Sequence, residues 1–294
     1  MRRRPVTRRL QRFRQVLEGA LSRRGTALMG VCNVTPDSFS DGGRYLGIEA
    51  ARERVEELVR EGADIVDVGG ESTRPGAKPV PAAEQLARVL PVVKHAAGWG
   101  VCVSVDTADP EVAAACLDAG ACAVNDVSCL RNVELGRVVA ASGAALVLMH
   151  ARGTQEEMLG FSKYPDDAYG DVVDDVLREW GEAARRAGEA GVAREALVMD
   201  PGLGFAKNAR HSLELLRRTA ELVAGAGVPV AVGASRKSFL SVADAKSTPA
   251  DRLGASLAAA LFARRAGAAV LRVHDVRATA QALDLDAQLA GREP

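Results

Sequence analysis

Three short polar stretches of this chain carry residue types suited to handling anions. Two have the composition of closing loops: Asn33–Val34–Thr35–Pro36–Asp37–Ser38–Phe39–Ser40–Asp41–Gly42–Gly43, and Gly69–Gly70–Glu71–Ser72–Thr73–Arg74–Pro75–Gly76. Both mix glycine hinges with hydroxyl and carboxylate groups, and the second adds an arginine, a composition that suits a loop folding over a charged substrate. Arg74 has the planar fork that matches phosphate oxygens. For either stretch a surface turn with no task is the plainer alternative. The third stretch, Gly233–Ala234–Ser235–Arg236–Lys237–Ser238, sets two cations and a hydroxyl ahead of a helix-like run, a place for a carboxylate or phosphate. It is not a Walker A loop, because GxxxxGK[ST] is absent.

The elements that must position these groups are legible in the apolar pattern. Eight β-like runs alternate with helical stretches: Ala27–Asn33, Asp64–Gly69, Val101–Asp106, Ala121–Asp126, Ala144–His150, Ala196–Asp200, Val228–Gly233 and Ala268–Val273. In Ala50–Glu61, Val55, Leu58 and Val59 recur at the spacing of one helix face. Most of the strand runs are nearly continuous in apolar residues, as in AALVLM and AAVLRV, which points to a parallel sheet buried on both faces. Eight such units predict a closed TIM-type (β/α)8 barrel, an α/β fold in one domain. A doubly wound open sheet is the alternative.

The notable polar residues fall at the C-terminal ends of these runs: Asn33, Gly69–Gly70–Glu71, Asp106, Asn125 and Asp126, His150, Asp200, Ser235–Arg236–Lys237, Arg272 and His274. In a barrel those ends share one rim, where active sites are built. An Asp or Asn after a strand is also a common helix N-cap. Asp109, with Pro110 behind it, is a better cap than Asp106. Lys237, Arg272 and His274 are poor caps, and helices need only one each, so accumulation on one rim favours an enzyme.

Bulk properties exclude other classes. Lys+Arg and Asp+Glu are both 38 in 294 residues, so the overall charge asks for neither nucleic acid nor membrane. No apolar run is long enough to span a bilayer. With no apolar signal core at the start, a cytoplasmic protein is expected. Cys32, Cys102, Cys116, Cys122 and Cys129 contain no CxxC spacing and read as buried free thiols. Residues 1–24 read as a basic N-terminal extension, a frayed tail or a short surface helix, with an anion-binding or targeting arm as the alternative. Residues 25–294 read as the barrel.

From about Met29 to Val276 the chain resembles dihydropteroate synthase. The segments that carry the likeness are MGVCNVTPDSFSDGG, VDVGGESTRPGA, SVDT, VNDVS, LMH, MDPGLGFAK, GASRKSFL and RVHDV. The first two are highly specific. The resemblance implies condensation of 6-hydroxymethyl-7,8-dihydropterin pyrophosphate with p-aminobenzoate, giving 7,8-dihydropteroate and pyrophosphate. It implies that Asp106, Asn125 and Asp200 line a pterin slot, that Lys237 reaches the pterin carbonyl and that Met149 packs on the ring. It gives Asn33 a Mg2+ ion shared with the pyrophosphate, and Thr73, Arg74, Arg272 and His274 the phosphate oxygens. Phe39, Pro75 and Phe205 would wall the aminobenzoate ring, and Ser238 would take its carboxylate. Sulfonamides are the inhibitors implied, and a homodimer the assembly, with the Ala-rich stretch Leu253–Ala266 as a possible helix contact or simply core packing.

Some positions depart from the commoner pattern: Ala151–Arg152–Gly153 after His150, then Gln155, Ala206 and Asp109. None removes a residue that the resemblance places against a substrate. Two other functions stay open at this point. One is a pterin-binding paralogue without activity. The other is a methyltetrahydrofolate-dependent corrinoid methyltransferase, in which GASRKSFL and RVHDV are not expected.

Overall fold

A computed structural model of the chain describes residues 7–35, 43–72, 79–154 and 164–291. Phe39, Thr73, Arg74 and Pro75, expected at the site, lie outside the described residues. A strand that is apolar on both faces must be covered on both. Here eight strands do so by closing on themselves inside a ring of helices.

The strands are β1 (Ala27–Asn33), β2 (Ile65–Gly69), β3 (Cys102–Asp106), β4 (Ala123–Asp126), β5 (Ala145–Met149), β6 (Leu197–Asp200), β7 (Ala231–Val232) and β8 (Val270–Val273). Their order is β6-β5-β4-β3-β2-β1-β8-β7, with parallel pairing at every step. A parallel bridge from Met199 to Val230, with Met199 N–H donating to Pro229 O at 2.9 Å, joins β6 to the β7 approach and closes the barrel. The register pairs Gly69 with Asp106 and Asp106 with Asn125, so the strand ends are level at one rim.

The described helices are α1 (Arg8–Arg24), α2 (Gly43–Arg60), α3 (Ala82–Gly98), α4 (Pro110–Asp118), α5 (Val133–Ser142), α6 (Val172–Glu189), α7 (Ala209–Arg217), α8 (Thr219–Ala226), α9 (Leu253–Arg265) and α10 (Val276–Leu289). Asp109 caps α4, its carboxylate accepting from the amides of Glu111 and Val112. That leaves Asp106 free of capping duty.

From Arg8 to Arg24 the arginine-rich segment is a 17-residue helix lying against the barrel. Leu10, Phe13, Leu17 and Ala20, spaced at helical intervals, are buried, and α1 packs against β1, β3, β4 and β5. At roughly 1.5–3 kcal/mol for each fully buried Leu or Phe, this face anchors the helix. Several of its arginines cap the carbonyl end of the barrel's lower loops. Arg9 donates to Leu117 O at 3.1 Å and Arg12 to Val101 O at 2.9 Å. From Arg8 onward the basic residues flank and cover the buried face of an amphipathic helix.

Candidate active site

Asp67, in the middle of β2, is fully buried. Its Oδ2 accepts from Arg272 Nε at 2.7 Å and from Asn125 Nδ2 at 3.0 Å. Arg272 also donates from Nη2 to Asp106 Oδ2 at 2.7 Å. Side chains from β2, β3, β4 and β8 are thereby tied together at the mouth. Among the described residues, Asp67 Oδ1 and Asp106 Oδ1 are buried without a hydrogen-bond partner. Buried polar atoms are rarely left so, and an orphan marks a place made for another group. Burial raises the Asp106 carboxyl above the ordinary range; Arg272 opposes this, while Asp67, Asp126 and Glu71 add to it. Burial likewise opposes the charge on Arg272, but Asp67 and Asp106 more than offset it.

Lys237 approaches the same space from the segment after β7. Its Nζ donates to Leu203 O at 2.6 Å and stands 4.7 Å from the centre of the Phe205 ring. Burial pulls its ammonium down to about 8, with Asp200 working the other way. A Cβ built on Gly233 lies 3.8 Å from Lys237 Nζ and 3.9 Å from Asp200 Oδ2, so all three meet. Asp200 Oδ1 accepts the Gly202 amide at 2.7 Å, fixing the turn that follows β6. Gly202 has φ +67, and a Cβ there would fall 2.1 Å from His150 O, so only glycine fits. Met149 and Phe205 pack together as an apolar patch beside this turn.

At the other side of the mouth, His274 Nδ1 meets Ser235 Oγ at 3.0 Å. Burial, with Arg272 and Arg236 adding, pulls His274 down to about 3, so its ring is neutral near pH 7. Arg236, held at φ 61, forks onto Asp275, while Arg54 from α2 donates to His274 O at 2.9 Å. Asn33, Arg54, Arg236, His274 and Arg277 line a cleft of about 650 Å3, together with Asp275 and Glu61.

Several expectations meet a different geometry. Ser238 opens a five-residue 3-10 turn, Ser238–Val242, rather than a long helix, so it has no strong helix N-terminus behind it. The turn formers of Asp244–Pro249 stop it from extending. Asp126 is a local cap, accepting from the amides of Ser128 and Leu130. His150 turns away from the mouth towards Glu179 and Lys207. Among the described residues no group of three or more His, Cys, Asp or Glu could hold a metal ion. Asp67 was passed over in the sequence, although a carboxylate inside an otherwise apolar strand is itself a signal. Lys207 gave no such sign beyond its motif.

A (β/α)8 barrel that gathers a buried Asp–Arg–Asp set and a lysine at its mouth has the build of an enzyme, and a family match gives its class as pterin-binding. The sequence profile of that family, described as "Pterin binding enzyme", matches residues 29–274. The dihydropteroate synthase of Escherichia coli K12 is 41% identical over 268 residues, covering 90% of this chain and 93% of the relative. A probable bifunctional folylpolyglutamate synthase/dihydropteroate synthase of Haloferax volcanii is 44% identical over 270 residues; the match takes 92% of this chain but only 31% of that protein. The solved structure of Xanthomonas albilineans dihydropteroate synthase with 4-aminobenzoic acid superposes with a TM-score of 0.84 at 41% identity, covering 93% of this chain and 95% of that one. That of the Yersinia pestis enzyme with a sulfonamide drug gives 0.83 at 37% identity, covering 92% and 96%. The chain belongs to the dihydropteroate synthases.

Proposed function

We propose that the rim divides the synthase reaction among three neighbouring sets of residues. The protein condenses 6-hydroxymethyl-7,8-dihydropterin pyrophosphate with p-aminobenzoate, releasing pyrophosphate. In this reading Asp106, Asn125 and Asp200 take the hydrogen-bonding edge of the pterin, Lys237 its carbonyl, and Met149 its face. Asp67 holds the set in place.

The observation that carries the reading is the pair of orphaned acceptors, Asp67 Oδ1 and Asp106 Oδ1, on two buried carboxylates that share Arg272. A ring edge rich in N–H donors pairs them, recovering about 1–3 kcal/mol for each group. The carboxylates also favour the positive charge that develops on the pterin as its carbon–oxygen bond weakens. Arg272 and His274, with Thr73 and Arg74, hold the departing pyrophosphate. Ser235 engages His274 Nδ1, which leaves Nε2 to donate to a phosphate oxygen. Phe39, Pro75 and Phe205 wall the aminobenzoate ring, and Ser238 takes its carboxylate. No protein nucleophile is needed: the amine attacks once the loops exclude water.

Mg2+ belongs to this reading as an ion shared with the pyrophosphate. Asn33, at the end of β1 and on the cleft beside His274, offers one neutral oxygen. Such a donor fits Mg2+, which commonly takes one or two protein oxygens and completes its shell with phosphate and water. When bound, the ion neutralises charge on the leaving group.

Among the described residues no helix is long and apolar enough to cross a membrane. A cytosolic setting is part of the proposal, supported by five free cysteines. So is a homodimer through α9, where Phe262 and Leu253 are 47% and 38% exposed. Sulfonamides, which present an aniline like that of p-aminobenzoate, are the inhibitors expected. Calorimetric titration with the free dihydropterin and with its pyrophosphate ester tests the slot. Asp106→Ala, Asp200→Ala and Lys237→Ala should each lose both ligands and all turnover; wild-type binding in folded variants removes the assignment.

A further inference from the structure

Behind the mouth lies a second set of buried charges that the reaction does not use. Lys207 is wholly buried and is among the largest of the fully buried side chains. Its Nζ donates to Gly202 O at 3.1 Å and Phe205 O at 3.0 Å, and lies 2.9 Å from His150 Nδ1. An ammonium has three N–H bonds, and each finds an acceptor here. Nδ1 accepts only when the ring proton is on Nε2, which then donates to Glu179 Oε2 at 3.0 Å. Burial first, then the charge of Lys207, keeps His150 from taking a second proton and pulls it down to about 4.

The set continues to Arg152. Its Nε and Nη2 donate to the two oxygens of Glu179 at 2.9 Å and 2.5 Å. Its guanidinium lies 3.8 Å from the centre of the Tyr169 ring. Tyr169 in turn donates from its hydroxyl to Ala206 O at 3.0 Å. The network therefore starts and ends on one turn, with Lys207 and Tyr169 together holding the carbonyls of Gly202, Phe205 and Ala206.

That turn has two working surfaces. The Phe205 ring packs with Met149, and Leu203 O accepts Lys237 Nζ. Its backbone is not a resting one, since Ala206 has φ 50, a left-handed conformation that a residue with a Cβ keeps only when its surroundings impose it. Packing alone does not explain a lysine here, because an apolar side chain of similar length fills the space without burying a charge.

We propose that Lys207 and Tyr169 are positioning residues, which hold the Gly202–Ala206 turn from behind and so set the aminobenzoate wall and the seat of Lys237. Neither touches a substrate. The proposal rests on the reading of Phe205 as part of the aminobenzoate wall. Lys207 holds Phe205 O directly and Tyr169 holds the neighbouring Ala206 O, next to the ring that walls the aminobenzoate, so the aminobenzoate side responds first.

Tyr169→Phe removes one hydroxyl and keeps the ring under Arg152; Lys207→Met keeps the stem and removes the three donors. Both are to be assayed in the full chain with each substrate varied in turn, alongside a thermal melt. The expected result is a rise of about fivefold or more in the aminobenzoate KM for both variants. For Tyr169→Phe the KM for the pterin pyrophosphate should stay within about twofold. Equal losses for both substrates that follow the fall in Tm, or no change in folded variants, overturn the proposal. If Lys207→Met does not fold, Tyr169→Phe decides alone. Phe205→Ala separates the two ways of failing. No change in its aminobenzoate KM removes the wall reading and this proposal with it. A large rise there, with none in Tyr169→Phe and Lys207→Met, removes the proposal alone.

Discussion

Replacing Asp67 by asparagine probes how the pterin slot is charged. Oδ2 of Asp67 takes Arg272 Nε at 2.7 Å and Asn125 Nδ2 at 3.0 Å, all within the barrel mouth. Asparagine keeps an acceptor oxygen of the same size but gives up the charge. A hydrogen bond to a charged group nets about 1.5–3 kcal/mol and a neutral one about 0.5–1.5, so the loss is about 1–2 kcal/mol. At about 1.4 kcal/mol for each factor of ten, that is about a 5- to 30-fold fall in kcat/KM for the pterin pyrophosphate. Arg272 remains tied to Asp106, so the slot slackens rather than collapses. The aminobenzoate KM should hold within about twofold. Stability should move little, since relieving a buried carboxylate of its charge offsets the weakened pair. Steady-state pyrophosphate release, with each substrate varied, reads the kinetics, and urea unfolding reads the stability. Full kcat/KM in a folded Asp67→Asn protein would refute the role given to this residue. So would equal losses for both substrates.

Other perturbations have equally definite outcomes. Arg272→Ala, which the resemblance alone expects to act mainly at the phosphate end, should weaken free dihydropterin as well as the ester, because it leaves Asp67 and Asp106 facing each other; unchanged affinity for the free pterin in a titration contradicts this. Lys237 carries its proton below about 8, so kcat/KM for the pterin pyrophosphate should decline above that pH. A profile flat to pH 10 rules out the ammonium as the group that meets the pterin. His150 and His274 are held near 4 and 3, against 6.5 when exposed, so between those limits the unfolded chain binds more protons. The share of stability that rests on these two histidines is therefore full above about pH 6.5 and falls as pH drops towards 4, with His150 contributing on the order of 3 kcal/mol. Urea unfolding across that range, with His150→Gln giving a flatter curve, is the check. Chelation of Mg2+ should stop turnover reversibly and leave free dihydropterin binding intact, as titration with and without chelator will show.

The barrel was legible because parallel strands must be apolar on both faces. Ala27–Asn33 is found with the bounds read from sequence, and the other strands are shorter by only a few residues. The largest trimming is at Val228–Gly233, where only Ala231 and Val232 keep regular pairing. Val230 spends its bonds on the closing bridge and on the amides of Ala269 and Val270. Polar residues at strand ends led to Asp106, Asn125, Asp200, Lys237, Arg272 and His274, which the fold brings to one mouth. The same rule also picked out Asp126 and His150, one a local cap and the other part of the buried network behind the site. Nothing in the local sequence separates these cases, because the distinction lies in the direction of a side chain at a strand end. Asp67 was missed because the rule looked only at ends. Lys207 and Tyr169 act through carbonyls, which any residue presents, and such contacts leave no mark in a motif.

The central claim is that this rim joins a pterin to an arylamine with loss of pyrophosphate. Its most direct measurement is pyrophosphate release by the purified protein with 6-hydroxymethyl-7,8-dihydropterin pyrophosphate, Mg2+ and p-aminobenzoate, run beside a mixture lacking p-aminobenzoate. The account predicts dihydropteroate and pyrophosphate in equal amounts, and only in the complete mixture. Tight binding of the pterin with no dihydropteroate formed would contradict it.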